Sequence, residues 1–216
     1  MIMAGTPQTT DLRKTKAPAR RTQAARTEAM RARLSDAAYR IVAEGGVRAL
    51  TIRALAAAAD VSQGAVLHHF PDKGAIVLLA IEQTLTLARE DSHRWLECPG
   101  DTESVLRAML AEFRAFFFSD RFWVAMGITI EVSKDTDLFP AVRATVAKLR
   151  TPVYRAWADR LIEQGWSADL AQRDVRAAAG MISGAAIRRF WADEDNVSQA
   201  VEEDWIATRL AAHRNR

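Results

Sequence analysis

Thr51-Ile52-Arg53-Ala54-Leu55-Ala56-Ala57-Ala58-Ala59-Asp60-Val61-Ser62-Gln63-Gly64-Ala65-Val66-Leu67-His68-His69-Phe70-Pro71-Asp72-Lys73 decides the reading of this chain. Ile52, Leu55, Ala56 and Ala59 recur at helical spacing behind Thr51, a residue type that caps helix N-termini. Three residues later Ser62 offers a second cap, so a short helix is expected from Ser62 to about His69, burying Val61, Val66 and Phe70. Pro71-Asp72 breaks it and starts another. Two short helices joined by Ala59-Asp60-Val61 read as a helix-turn-helix. A helix enters the DNA major groove only if its partner holds one apolar face and leaves the opposite face polar or small. Ser62, Gln63, Gly64 and Ala65 supply that face. Gln63 can bond adenine, and Gly64 and Ala65 permit close approach and contact with a thymine methyl. His68 and His69 add polar groups, and helix starts at Thr51 and near Lys73 attract phosphate.

Upstream, Met30, Leu34, Ala37, Ala38, Ile41 and Val42 predict a first helix that stops at Gly45-Gly46. Residues 1–25 lack apolar periodicity and read as a flexible basic arm, with Arg20 and Arg21 available to DNA. The alternative for the arm is a solubilising tail. Downstream, longer helices are expected over roughly 72–95, 101–118, 120–133, 137–164, 167–193 and 198–213, with a kink at Pro152 and an end at Gly165. No convincing period-two strand occurs. The expected fold is all-α, with a three-helix DNA-binding head at 26–72 and a larger ligand-binding and dimerisation body at 73–216.

The composition fits a soluble globular chain: 216 residues, 49% hydrophobic and 26% charged, with a single cysteine, Cys98. Disulfide-stapled, collagen-like and disordered classes are excluded. The net charge of +3 is uneven. Residues 1–80 hold 12 basic against 6 acidic residues, and residues 81–216 hold 18 against 21, so one end suits a polyanion. The longest apolar stretch free of charge and histidine, Ala177 to Ile187, is shorter than a membrane span, and the N-terminus lacks the apolar segment of a secretory signal. A cytoplasmic location is expected. No catalytic residue, metal site or cofactor is expected. Adjacent His68 and His69 point about 100° apart on a helix, and hydrolase, zinc-protease and phosphate-loop motifs are missing. Cys98 reads as a loop thiol, with redox sensing as the alternative.

Residues 34–80 resemble the DNA-binding domain of TetR-family transcriptional regulators, through Ala37-Ala38, Glu44-Gly45-Gly46, Leu50-Thr51, Ile52, Leu55-Ala56, Ala59, Val61-Ser62, Gly64, His69-Phe70 and Lys73. Three positions depart from the family pattern. Asp60 stands where the turn usually has Gly, Leu67 replaces a Tyr that commonly touches phosphate, and Gly74 replaces a frequent Glu. With Leu67 in place, that phosphate contact is lost or passes to His68 or Lys73. The resemblance implies a homodimer that sets two recognition helices in successive major grooves of a near-palindromic operator. It also implies a ligand cavity in the C-terminal helices, whose occupation releases DNA. Thr51, Arg53, Ser62, Gln63, Gly64, Ala65, Leu67, His68, His69 and Lys73 are the DNA-facing candidates.

All six Trp and seven of the eight Phe follow residue 94. Met109, Phe113, Phe117, Trp123, Met126, Trp157 and Met181 are candidate lining for an apolar or aromatic effector, with ordinary core as the other account. His93, Glu131 and Arg143 are candidate polar anchors. Ile182, Ala186, Phe190, Val201 and Trp205 are candidate dimer contacts on the last two helices, although intrachain packing explains the small residues there equally well. The competing readings are a ligand-independent or architectural DNA binder and a ligand-promoted activator.

Overall fold

The computed structural model describes residues 23–97, 100–192 and 195–214. These form helices α1 (Gln23–Ala49), α2 (Ile52–Ala58), α3 (Gln63–His69), α4 (Lys73–Leu96), α5 (Thr102–Phe117), α6 (Asp120–Glu131), α7 (Leu138–Glu163), α8 (Ala168–Arg188) and α9 (Asp195–Arg214), with no strand among the described residues. The all-α expectation holds, and most helix ends fall within a few residues of their predicted places. Helix α1 already includes Gln23, inside the expected arm. The rest of the arm, with Arg20 and Arg21, lies outside the described residues, as does Cys98. Instead of stopping at Gly45-Gly46, α1 bends at Gly46, where φ is 71°, and adds a last turn to Ala49. Only a residue without a Cβ takes that conformation freely. Helix α7 runs through Pro152 as one element from Leu138 to Glu163, as the expected helix over 137–164 does.

Sequence chemistry sets the helix starts. The side chains of Thr51, Ser62, Asp72 and Asp101 accept from the amides of Ala54 (3.1 Å), Ala65 (3.1 Å), Ala75 (2.8 Å) and Ser104 (3.0 Å), each using an N–H that the first turn leaves unpaired. The bonds from Ser104 hold the Asp101 carboxyl below its ordinary value.

Leu34, Ala37, Ala38 and Val42 bury one stripe of α1 against α2 and α4. Helix α4 packs on both α1 and α7 and so joins the head to the body. In the body, α8 lies against α7 and α5, and α9 crosses α5 and α8. Charged pairs fasten this last helix. Arg107 donates to both oxygens of Glu203, at 2.7 and 2.8 Å, and Arg114 donates to Glu202. That bidentate bond raises the Arg107 pKa and lowers that of Glu203. Arg209 donates to Asp174 at 3.1 Å, and His213 stacks on Trp166 with centroids 4.1 Å apart. Gly165, at φ 92°, turns the chain beneath that stack, where a Cβ would lie 3.4 Å from the His213 ring.

Candidate nucleic-acid interface

The helix-turn-helix is a small apolar wedge. Leu55 and Ala56 from α2, Ala59 from the turn and Val66 from α3 are buried, and Phe70 closes the end of α3. Burying these groups on one side fixes the roll of α3. Gln63, Gly64, Leu67 and His68 consequently face solvent, Leu67 at 45% exposure, while Ala65 and His69 are half-buried and His69 packs its ring against Phe70. Thr51, Arg53, Ser62 and Lys73 are also exposed.

Asp60 turns the chain between α2 and α3 with φ 52°, the left-handed conformation that its place in the turn demands. Its short polar side chain makes that conformation less costly than it is for most residues. A clamp that the sequence did not reveal supports the turn. Arg33 of α1 donates to the carbonyl of Ala59 and, at 3.4 Å, to that of Asp60. A cation at the C-terminus of α2 also complements its dipole. The clue was a basic residue beside buried Leu34, one position off the apolar stripe. Nearby, Arg31 pairs with Glu82 of α4 at 3.2 Å and lies over the Phe70 ring, which locks the head onto α4. At the other end of α1, Arg48 pairs with Glu131 of α6 at 3.2 Å.

The effector candidates separate by burial. Met109, Phe113 and Trp157 are fully buried. Close packing of α5 against α7 and α8 accounts for it. Phe117 and Met126 border an open hollow of about 360 Å3 between α5, α6, α7 and α8. Trp123 borders a crevice of about 550 Å3 between α1 and α6, its ring against Phe190 at 4.5 Å. Met181 packs half-buried on the core. Of the anchor candidates, Glu131 is engaged by Arg48, Arg143 lies exposed over the Phe139 ring, and His93 borders a small hollow beside α7. Buried charges on α5 and α7 are Glu112 and Arg150 instead. Each occupies a helical position among apolar neighbours, Glu112 three after Met109 and Arg150 four after Val146, and that pattern break was the available signal.

The dimer candidates also divide. Ile182 and Ala186 are 0% and 2% exposed, because α8 turns them inward against its own chain, so they are corrected to intrachain core. Phe190 and Val201 remain exposed, and Trp205 is half-buried. Among the described residues, no helix is long and apolar enough to cross a membrane, and no cluster of three or more metal-ligating side chains occurs.

The model of bacterial regulatory proteins of the tetR family matches residues 34–80, the segment that builds the wedge and the start of α4. The chain is 30% identical over 174 residues to the HTH-type transcriptional regulator CymR of Pseudomonas putida, covering 81% of this chain and 86% of that protein. The HTH-type transcriptional repressor AcnR of Corynebacterium glutamicum is 33% identical over 116 residues, 53% of this chain and 54% of that one. A transcriptional regulator from Saccharomonospora viridis, solved in complex with choline, superposes with a TM-score of 0.62 at 20% identity, covering 84% of this chain and 96% of that one. These relatives are regulators and not enzymes, and the chain belongs to the TetR family of DNA-binding transcriptional regulators.

Proposed function

We propose that the chain is a homodimeric repressor that holds a palindromic operator and leaves it when a small apolar or aromatic molecule enters the body. The observation that carries this reading is the roll of α3. Val66 is fully buried, while Gln63, Gly64, Leu67 and His68 stand outward behind the Ser62 cap. In this reading residues 26–72 are the DNA-binding unit and 73–216 the effector and dimer unit. Gln63, Gly64 and Ala65 face bases. Thr51, Arg53, Ser62, His68, His69 and Lys73 face phosphates, and Leu67 makes apolar contact in place of a polar one.

The dimer face is the exposed end of α8 with α9. Phe190, Trp191 and Val201 are 68%, 77% and 46% exposed, and no heavy atom lies within 4 Å of a Cβ built at Gly180 or Gly184, so another helix can approach α8 closely. Exposed apolar surface of this kind marks contact sites. Repression agrees with the name of AcnR, and a small-molecule occupant agrees with the choline bound to the S. viridis regulator. The test is selection of bound sequences from a random DNA pool, followed by the mass of the complex. A palindrome carrying an even number of protomers is expected. Salt-sensitive binding without sequence enrichment would replace this reading with a nonspecific DNA binder.

A further inference from the structure

Helix α8 lends one stripe, Arg176, Gly180 and Ser183, to the open hollow of about 360 Å3 where it meets α5, α6 and α7. Four and then three positions apart, these residues share a face of the helix. The rest of the border includes Phe117 of α5, Phe122 of α6 and Tyr154 of α7. Phe117 and Phe122 are buried and meet edge to face with centroids 5.1 Å apart, and the Tyr154 ring stands edge to face with fully buried Phe113 at 5.8 Å. That side of the hollow is therefore an aromatic wall held in place from behind. Gly180 contributes no side chain, and nothing lies within 4 Å of a Cβ built there, so α8 leaves the position empty.

Charge selects the occupant. Arg176 is the charged residue on this border, and no carboxylate shares it. Its neighbours on α8 have partners, Arg173 in Asp169 at 3.0 Å and Asp174 in Arg209 at 3.1 Å. Among the described residues, neither Arg176 nor the Tyr154 hydroxyl makes a hydrogen bond or ion pair, whereas the Ser183 hydroxyl donates to the Gly180 carbonyl at 3.1 Å. Exposed to water, Arg176 bears no burial cost, and what singles it out is its place on the rim of an aromatic wall. A guanidinium and a phenol can both donate to one acceptor group, while the wall takes an apolar body. The volume lies a little above the roughly 300 Å3 at which drug-sized pockets begin, which suits a compact molecule.

We propose that Arg176 anchors an aromatic monocarboxylate whose ring lies against Phe117, Phe122 and Tyr154. The proposal rests on the effector reading above and gives that effector its chemistry. A carboxylate is planar, accepts only, and matches the guanidinium fork through two parallel bonds. A primary amide of the same shape sets a donor against a donor, and a cation meets like charge. A ring on the wall gains the edge-to-face contacts that the wall residues make with one another. Gly180 belongs both to this border and to the proposed dimer face, so the occupant sits beside the surface that would meet the partner.

The experiment uses the full chain at neutral pH with benzoate, phenylacetate and naphthoate as probes, each beside its primary amide, with affinity read by calorimetry. At least one acid is expected to bind about tenfold or more tightly than its amide. Arg176→Gln is expected to abolish that preference while sparing amide binding, and Arg173→Gln, three positions away on α8, is expected to keep it. Equal affinity for acid and amide, no binding of any acid, or a preference that survives Arg176→Gln overturns the proposal. Loss of the preference in both variants alike overturns it too, since that reports only the general field of the helix. Loss of dimer mass on Arg176→Gln, with no acid bound by the unaltered chain, gives the hollow to a second copy instead. Operator release separates the two readings. An acid that binds through Arg176 without releasing DNA keeps the anchor and ends the effector reading, whereas release by other molecules with no acid bound does the reverse.

Discussion

Gln63 stands at the start of α3, exposed, on a helix whose inward residue, Val66, leaves no freedom to roll. A side-chain amide so placed presents a donor and an acceptor together, the pair that adenine matches in the major groove. Gln63→Ala is therefore expected to change preference at one operator position by about 1–3 kcal/mol, measured by competition between single-base variants. Uniform weakening on every sequence would assign Gln63 to the phosphates. Asp60 carries a different burden, a left-handed φ of 52° whose cost Gly avoids. Asp60→Gly is expected to stabilise the head by about 1 kcal/mol or less, seen as a raised urea midpoint with operator affinity unchanged. These residues were legible because turn and cap chemistry is local. Arg33 was not, because its partners Ala59 and Asp60 lie 26 and 27 positions away and only the folded angle between α1 and α2 brings them together.

At the scale of elements, the periodic stripes of α1 and α2, the caps at Thr51 and Ser62 and the start at Pro71-Asp72 made the order and most boundaries of the head helices readable in advance. Lateral packing was less readable. Periodicity shows that a helix has an apolar face but not which neighbour covers it, and so Ile182 and Ala186 of α8 read as dimer contacts although they face their own chain. The same limit hid the attachment of α9, which relies on Arg107–Glu203 and Arg114–Glu202 across some 90 residues of sequence. The first pair gives a pH prediction. The bond from Arg107 lowers the Glu203 pKa, so its contribution is complete above the unfolded carboxylate value, about 4.3, and disappears as pH falls through the lower folded value. The difference in urea midpoint between the wild type and Glu203→Gln is expected to hold from pH 7 to about 5 and to close below about 4. A constant difference down to pH 3 would mean that Glu203 acts through packing alone.

For the whole molecule, the apolar end of α8 with α9 is the face that the proposed dimer would cover. Phe190 touches Trp123 with one edge and is otherwise 68% exposed. Phe190→Glu is expected to shift sedimentation toward the monomer and to weaken operator binding in parallel, since each half-site alone gains only one recognition helix. Loss of operator affinity with the dimer intact would place Phe190 in the coupling between body and head instead. That coupling has a mechanical form. Helix α1 is tied to Glu131 of α6 through Arg48, just past the bend at Gly46, and, ten residues in from Gln23, to the α2–α3 turn through Arg33. Between Arg33 and Gly46 it is a rod of roughly 20 Å at 1.5 Å per residue. In the proposed repressor, tilting such a rod by about 10° would sweep its far end through roughly 3.5 Å, close to the rise of one base pair, so a slight rocking at the body would slide the reading head out of step with the groove.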